Sequence, residues 1–120
     1  MLEPAMFDRE LSLMDHEGVL TRKVSVRFGN PYVVKEYGDE GTDWAVDIQI
    51  SGLVEADSYI NQRSMQVDPL GAFISALRLA SECIRLSEPY KAGRLFWLEP
   101  KDNCGFPEFT GPAYRPPAAT

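Results

Sequence analysis

Histidine is nearly missing from this chain: there is one, His16, in the stretch Asp15-His16-Glu17-Gly18. That composition reads as a surface turn. Serine or cysteine nucleophiles of the usual kind need an imidazole base held by a third group, and a solvated turn histidine does not supply one. Cysteine is almost as scarce. Cys83 and Cys104 make no disulfide framework, and with His16 they give three unclustered zinc ligands where a closed site needs about four. Cys104 precedes Gly105 in a loop, and Asp102 offsets the one nearby cation, Lys101, that would activate it. No apolar run approaches the roughly 20 residues of a membrane span. Met1-Leu2-Glu3-Pro4-Ala5-Met6-Phe7-Asp8 lacks the basic start and apolar core of a signal peptide. These absences set the expectation of a cytoplasmic protein with reduced thiols, no cofactor, no metal and no membrane contact.

Other motifs are missing too. No glycine-rich loop has Walker or Rossmann spacing. Asp39-Glu40-Gly41-Thr42-Asp43 opens like a calcium loop, but the glutamate that closes such a loop is absent. Acids are plentiful, yet nothing fixes two of them across a cleft for glycoside chemistry. Basic residues are the minority, 12 Lys and Arg against 18 Asp and Glu, for a net charge of −6. That balance argues against nucleic-acid binding, where clustered cations supply most of the affinity.

What is present suits one soluble core: 120 residues, 44% hydrophobic and 25% charged. The expected organisation is a single domain over 1–110 and a Pro-rich tail over 111–120. The chain is organised around one helix, expected at about Pro69 to Ser87. Asp68 is a good N-cap, Pro69 suits the first helical position, and Pro89 stops continuation past Glu88. Leu70, Phe73, Ile74, Leu77, Ala80 and Ile84 follow the i, i+3, i+4, i+7 rule and are the expected buried stripe. Ala72, Ala76, Leu79, Cys83 and Leu86 widen it beyond what one sheet face needs, so flanking loops or a second copy must cover the excess.

Before the helix the period is two. Phe7 to Met14 alternates, with Arg9 breaking the apolar side. Thr21 to Phe28 sets Val24, Val26 and Phe28 against Lys23, Ser25 and Arg27, and Tyr32-Val33-Val34 continues it after Gly29-Asn30-Pro31. Trp44, Val46, Ile48 and Ile50 alternate with Ala45, Asp47, Gln49 and Ser51, and Gly52 ends that strand. Leu53 to Gln66 is ambiguous, with Ser58-Tyr59-Ile60-Asn61 reading as a short edge strand or as part of a loop. Arg94-Leu95-Phe96-Trp97-Leu98 reads as a short buried strand. The expected fold is α+β and two-layer: a mainly antiparallel sheet of four to five strands against one long helix.

Arg9-Glu10-Leu11, Gly29-Asn30-Pro31, Trp44, Gly52, Val67-Asp68, Ala72, Ala76-Leu77 and Gly105-Phe106-Pro107 carry a resemblance to a bacterial family of small domains of unknown function. Gly71 stands where its members usually have a polar residue. The resemblance brings no catalytic residues. It implies similarity to the small immunity proteins found beside bacterial toxins.

Charge is unevenly distributed. Residues 21–35 carry Arg22, Lys23, Arg27 and Lys35 and no acid, while 36–62 carry Glu36, Asp39, Glu40, Asp43, Asp47, Glu55 and Asp57 and no Lys or Arg. The acidic block is either a solvated surface or a docking face that steers a basic partner. With the resemblance, the second reading makes the chain a non-enzymatic immunity or antitoxin-like inhibitor that occludes a basic toxin such as a nuclease. Asp39, Glu40, Asp43, Asp47, Glu55 and Asp57 would pair with the partner's cations, and Tyr32, Tyr37 or Tyr59 would supply aromatic anchors. The alternative is a structural or regulatory domain that forms a homodimer through the excess helix surface. A carboxylate-dependent hydrolase stands third.

Overall fold

The computed structural model describes residues 5–36 and 38–107. The elements run β1 (Phe7–Met14), β2 (Leu20–Phe28), β3 (Tyr32–Glu36), a 3-10 turn (Gly38–Glu40), β4 (Thr42–Ser51), β5 (Tyr59–Gln66), α1 (Pro69–Arg85), α2 (Glu88–Lys91) and β6 (Leu95–Phe96). The fold is α+β, a six-stranded antiparallel sheet with one main helix. The tail over 111–120 lies outside the described residues.

β4 is the hub of the sheet. β5 pairs along one side of it from Trp44 to Ser51. The other side is shared: β2 pairs with Ile48–Ser51 and β3 with Thr42–Ala45. β2 and β3 therefore act as one strand, interrupted where Gly29-Asn30-Pro31 breaks the alternation, and Gly29 N–H still donates to Asp47 C=O at 2.9 Å across the break. In space the order is β5, β4, β2 with β3, β1, β6. The ambiguous stretch before the helix is thus a full strand over its second half.

Helix α1 starts as its sequence dictates. The Asp68 carboxylate accepts from Gly71 N–H at 2.5 Å, and Pro69 occupies the first turn. Its buried face overlaps the expected stripe at Ala80 and Ile84 but is rotated from it. Ala72, Ala76, Ala80, Ser81 and Ile84 are buried, whereas Leu70 and Ile74 are 68% and 50% exposed. The period was legible but its phase was not, because three alanines four residues apart let the helix backbone come close to β4 and β5. Ser64 Oγ fixes that approach by donating to Ala72 C=O at 2.5 Å. Phe73 and Leu77 flank the stripe, and Phe73 packs edge-on to Phe7 with ring centroids 5.3 Å apart. α1 ends at Arg85 rather than at Ser87, and Pro89 does not stop helix past Glu88: it lies in the first turn of α2, which Ser87 caps.

The core is the inner sheet face, Leu11, Leu13, Val24, Val26, Phe28, Val46, Ile48 and Ile50, closed by the helix stripe and by Leu95, Cys104 and Phe106. The expected strand over 94–98 shrinks to Leu95–Phe96, paired with Ser12 and Leu13. The Asp102 carboxylate accepts from the N–H groups of Trp97, Leu98, Glu99 and Cys104 at 2.8–3.0 Å and so draws the chain out of the sheet. Burial by itself pushes the Asp102 pKa up, but those four donors together hold it below the ordinary carboxylate value.

Candidate interaction surface

The acidic block does not form one face. β4 is ten residues long, about 30 Å at strand rise, and the block is divided between its two ends. Glu36, Asp39 and Asp43 sit at the β3–β4 turn, with Glu40 closing the 3-10 turn. Asp39 is exposed, Asp43 is half-buried, and Lys35 pairs across from Asp43 in the register. Tyr37 and the side chain of Glu40 lie outside the described residues. Glu55 and Asp57 are exposed in the β4–β5 turn at the far end. That turn needs Gly52 (φ +81°), where a Cβ would meet the Lys23 carbonyl oxygen at 2.8 Å. Tyr59 follows at the start of β5, 54% exposed.

Asp47 lies between these ends on the sheet face away from α1, and it is already engaged. Tyr32 Oη donates to both its oxygens at 2.9 and 3.0 Å, and Arg63 Nε donates to Oδ1 at 2.9 Å. The Arg63 guanidinium also lies 5.6 Å from the Tyr32 ring centroid. Burial, then the bond to Asp47, raises the Tyr32 pKa; the same carboxylate raises that of Arg63. Arg63 falls one residue past the acid-rich window, and antiparallel pairing brings it opposite Asp47. Nearby, buried Gln49 donates to Asn61 Oδ1 at 3.3 Å, while its Oε1 has no partner among the described residues. Lys23 donates to Ser12 Oγ on the same face. This face is a mixed-charge network rather than an acidic plate.

The chemistry-bearing residues are dispersed. His16 is exposed in its turn, where Asp15 accepts from Glu17 and Val19 N–H; those bonds lower the Asp15 pKa. A groove of about 470 Å³ beside it is lined by Arg22 and Arg94, but Arg22 donates to the carbonyls of Gly52, Leu53 and Val54, and Arg94 to Met14 C=O and Glu88. Cys104 is fully buried, its Sγ 3.5 Å from Leu95 C=O. Burial, then the Asp102 charge, pushes its thiol pKa up to about 12, so it is no nucleophile at neutral pH. Among the described residues no three His, Cys, Asp or Glu side chains come together as a metal site, and no helix is long and apolar enough to cross a membrane.

One cluster was hidden in the sequence as an apparent fault. Arg9, which breaks the apolar side of β1, donates from Nη1 to Gly105 C=O at 2.6 Å and lies 3.7 Å from the Trp97 ring centroid. Gly105 (φ +73°) packs against both, and a Cβ there would collide with Trp97 and Arg9. Arg9 and Gly105-Phe106-Pro107, nearly a hundred residues apart, form one clamp that closes the domain over β1. An apolar groove of about 350 Å³ adjoins it between Phe7, Phe28, Phe73 and Leu77.

Fold and surface together define a small two-layer α+β domain with an acidic hairpin end and dispersed chemistry. The family model described as Domain of unknown function (DUF6968) matches residues 7–108, and the chain belongs to that family. The match begins at the first residue of β1 and ends just past the Gly-Phe-Pro segment. Comparison with curated proteins and with solved structures returned no match to either.

Proposed function

We propose that this domain is a non-enzymatic binding protein of the immunity or antitoxin type, which blocks a basic toxin by docking the β3–β4 hairpin end against the toxin's cationic surface. The observation that carries the reading is the charge the sequence places at that end: Glu36, Asp39, Glu40 and Asp43 outnumber Lys35, which lies across from Asp43 in the register, in and beside a turn that lies past the last β5 pairing. Like charges held together at one end of a hairpin focus a field toward a basic partner and raise its rate of encounter. Asp47 has a lesser part, since Arg63 and Tyr32 already use its oxygens. Glu55 and Asp57, at the opposite end of β4, do not share the contact.

The test is affinity capture from native lysate with the wild-type chain and with an Asp39→Asn, Glu40→Gln, Asp43→Asn variant, read by mass spectrometry. The expected result is a basic polypeptide held at about 50 mM salt, released at about 500 mM where screening reaches a few Å, and lost with the variant. A partner retained equally by the variant, or held regardless of salt, refutes docking through this end.

A further inference from the structure

Among the described residues β5 is the outermost strand on its side of the sheet, and no strand pairs with its outer edge. Gly52 N–H donates to Ser58 C=O at 3.0 Å. Antiparallel alternation then turns the N–H and C=O groups of Ile60, Gln62 and Ser64 toward β4, and those of Tyr59, Asn61, Arg63 and Met65 away from it. Among the described residues these outward groups meet no backbone partner. The usual protections of an edge are missing as well. The strand has no proline, its register with β4 has no bulge, and its one charged side chain, Arg63, is folded onto Asp47 and Tyr32. Both ends of the described chain lie by β1: Met6 N–H bonds Phe28 C=O, and Pro107 accepts from Ser81 on the far flank of α1.

We infer that β5 is the interface of a homodimer, in which two copies pair β5 antiparallel about a two-fold axis through Gln62. The sequence of the strand selects that axis. Centred at Gln62, Asn61 faces Arg63 of the second copy and Tyr59 faces its Met65, each contact occurring twice. All four outward residues then exchange backbone bonds, about eight in total. Centred at Arg63, two guanidinium groups would face each other; centred at Asn61, Met65 would fall opposite the turn acid Asp57. On the outer face the chosen register covers Tyr59 and Met65, 54% and 47% exposed, with an aromatic–thioether pair. On the inner face it brings the two copies of α1, which packs on β5 and β4, toward each other. On that helix Leu79 and Cys83 are half-buried and Leu86 is 70% exposed.

An isologous pair of this kind joins two sheets into one and leaves the acidic hairpin ends at opposite extremes, both open. The dimer is therefore independent of the inhibitor reading, and either can fail alone. It also differs from a dimer held by the excess helix surface alone, because the backbone of β5 supplies its bonds.

The test is the solution mass between about 5 and 500 μM, a range over which a reversible dimer dissociates on dilution, together with amide exchange by NMR. The expected mass rises toward twice 13.5 kDa with concentration. The amides of Tyr59, Asn61, Arg63 and Met65 gain protection in step, while Ile60, Gln62 and Ser64 are protected throughout. Asn61→Pro, which removes an outward N–H and leaves the β4 bonds intact, and Met65→Lys each hold the chain at 13.5 kDa with an unchanged far-UV spectrum. A monomer at every concentration overturns the proposal. So does a dimer that both variants preserve, or one whose β5 edge amides exchange freely.

Discussion

Replacing Arg9 with alanine removes the side chain that ties the first strand to the last described segment. The guanidinium donates to Gly105 C=O at 2.6 Å and stacks on Trp97 at 3.7 Å. A hydrogen bond from a charged donor contributes about 1.5–3 kcal/mol, and a half-exposed cation–π contact about 0.5–1 kcal/mol. The expected loss is about 3 kcal/mol, which lowers the urea midpoint by about 2 M at a slope near 1.5 kcal/mol per molar. Far-UV circular dichroism during urea unfolding reads this without interference from tryptophan quenching. Arg9→Lys keeps the charge but neither the planar stack nor the forked reach, and recovers less than half of the loss. In a double-mutant cycle with Trp97→Ala the two residues couple by about 0.5–1 kcal/mol. A loss for Arg9→Ala below about 0.5 kcal/mol, the range of unremarkable surface changes, would refute the clamp as a stabilising element.

Two further outcomes follow from burial and phase. Ala76→Leu forces a larger side chain between α1 and the sheet and destabilises by about 1–3 kcal/mol, whereas Leu70→Ser and Ile74→Ser cost under about 1 kcal/mol; urea midpoints that rank these the other way round would restore the helix phase expected from sequence. Cys104 binds its proton more tightly folded, with a pKa of about 12, than unfolded, near 9.0. The thiol therefore contributes a stability that is intact below pH 9 and lost as pH rises from there toward 12. Cys104→Ala should flatten this alkaline decline, and in the native state a thiol reagent at pH 8 should label Cys83 while Cys104 reacts only after unfolding.

The functional proposals rest on charge and edges rather than on a pocket. The acids at the β3–β4 end and the unpaired backbone of β5 lie on different parts of the molecule. A partner could take the first while a second copy takes the other.

Local physics made much of this legible. Asp68 and Pro69 mark the start of α1 through capping that involves only neighbours in the chain. The alternation of Val24, Val26 and Phe28, and of Val46, Ile48 and Ile50, marks two strands and their inner face, because side chains on a strand point alternately to its two sides. The two-layer α+β class follows from those elements.

Tertiary structure alone decided the rest. Helical period does not state which part of a wide apolar stripe lies closest to a sheet; close approach through Ala72, Ala76 and Ala80 settled it against the bulkier Leu70 and Ile74. The acids from Glu36 to Asp57 are continuous in sequence but separated by the length of β4, and antiparallel pairing neutralised Asp47 with an arginine from just beyond the block. Arg9 read as a flaw in a strand because its partners, Trp97 and Gly105, arrive from the other end of the chain. Sequence determines what is governed by neighbours along the backbone, and contacts between distant segments decide which charges remain unpaired and which edges remain open.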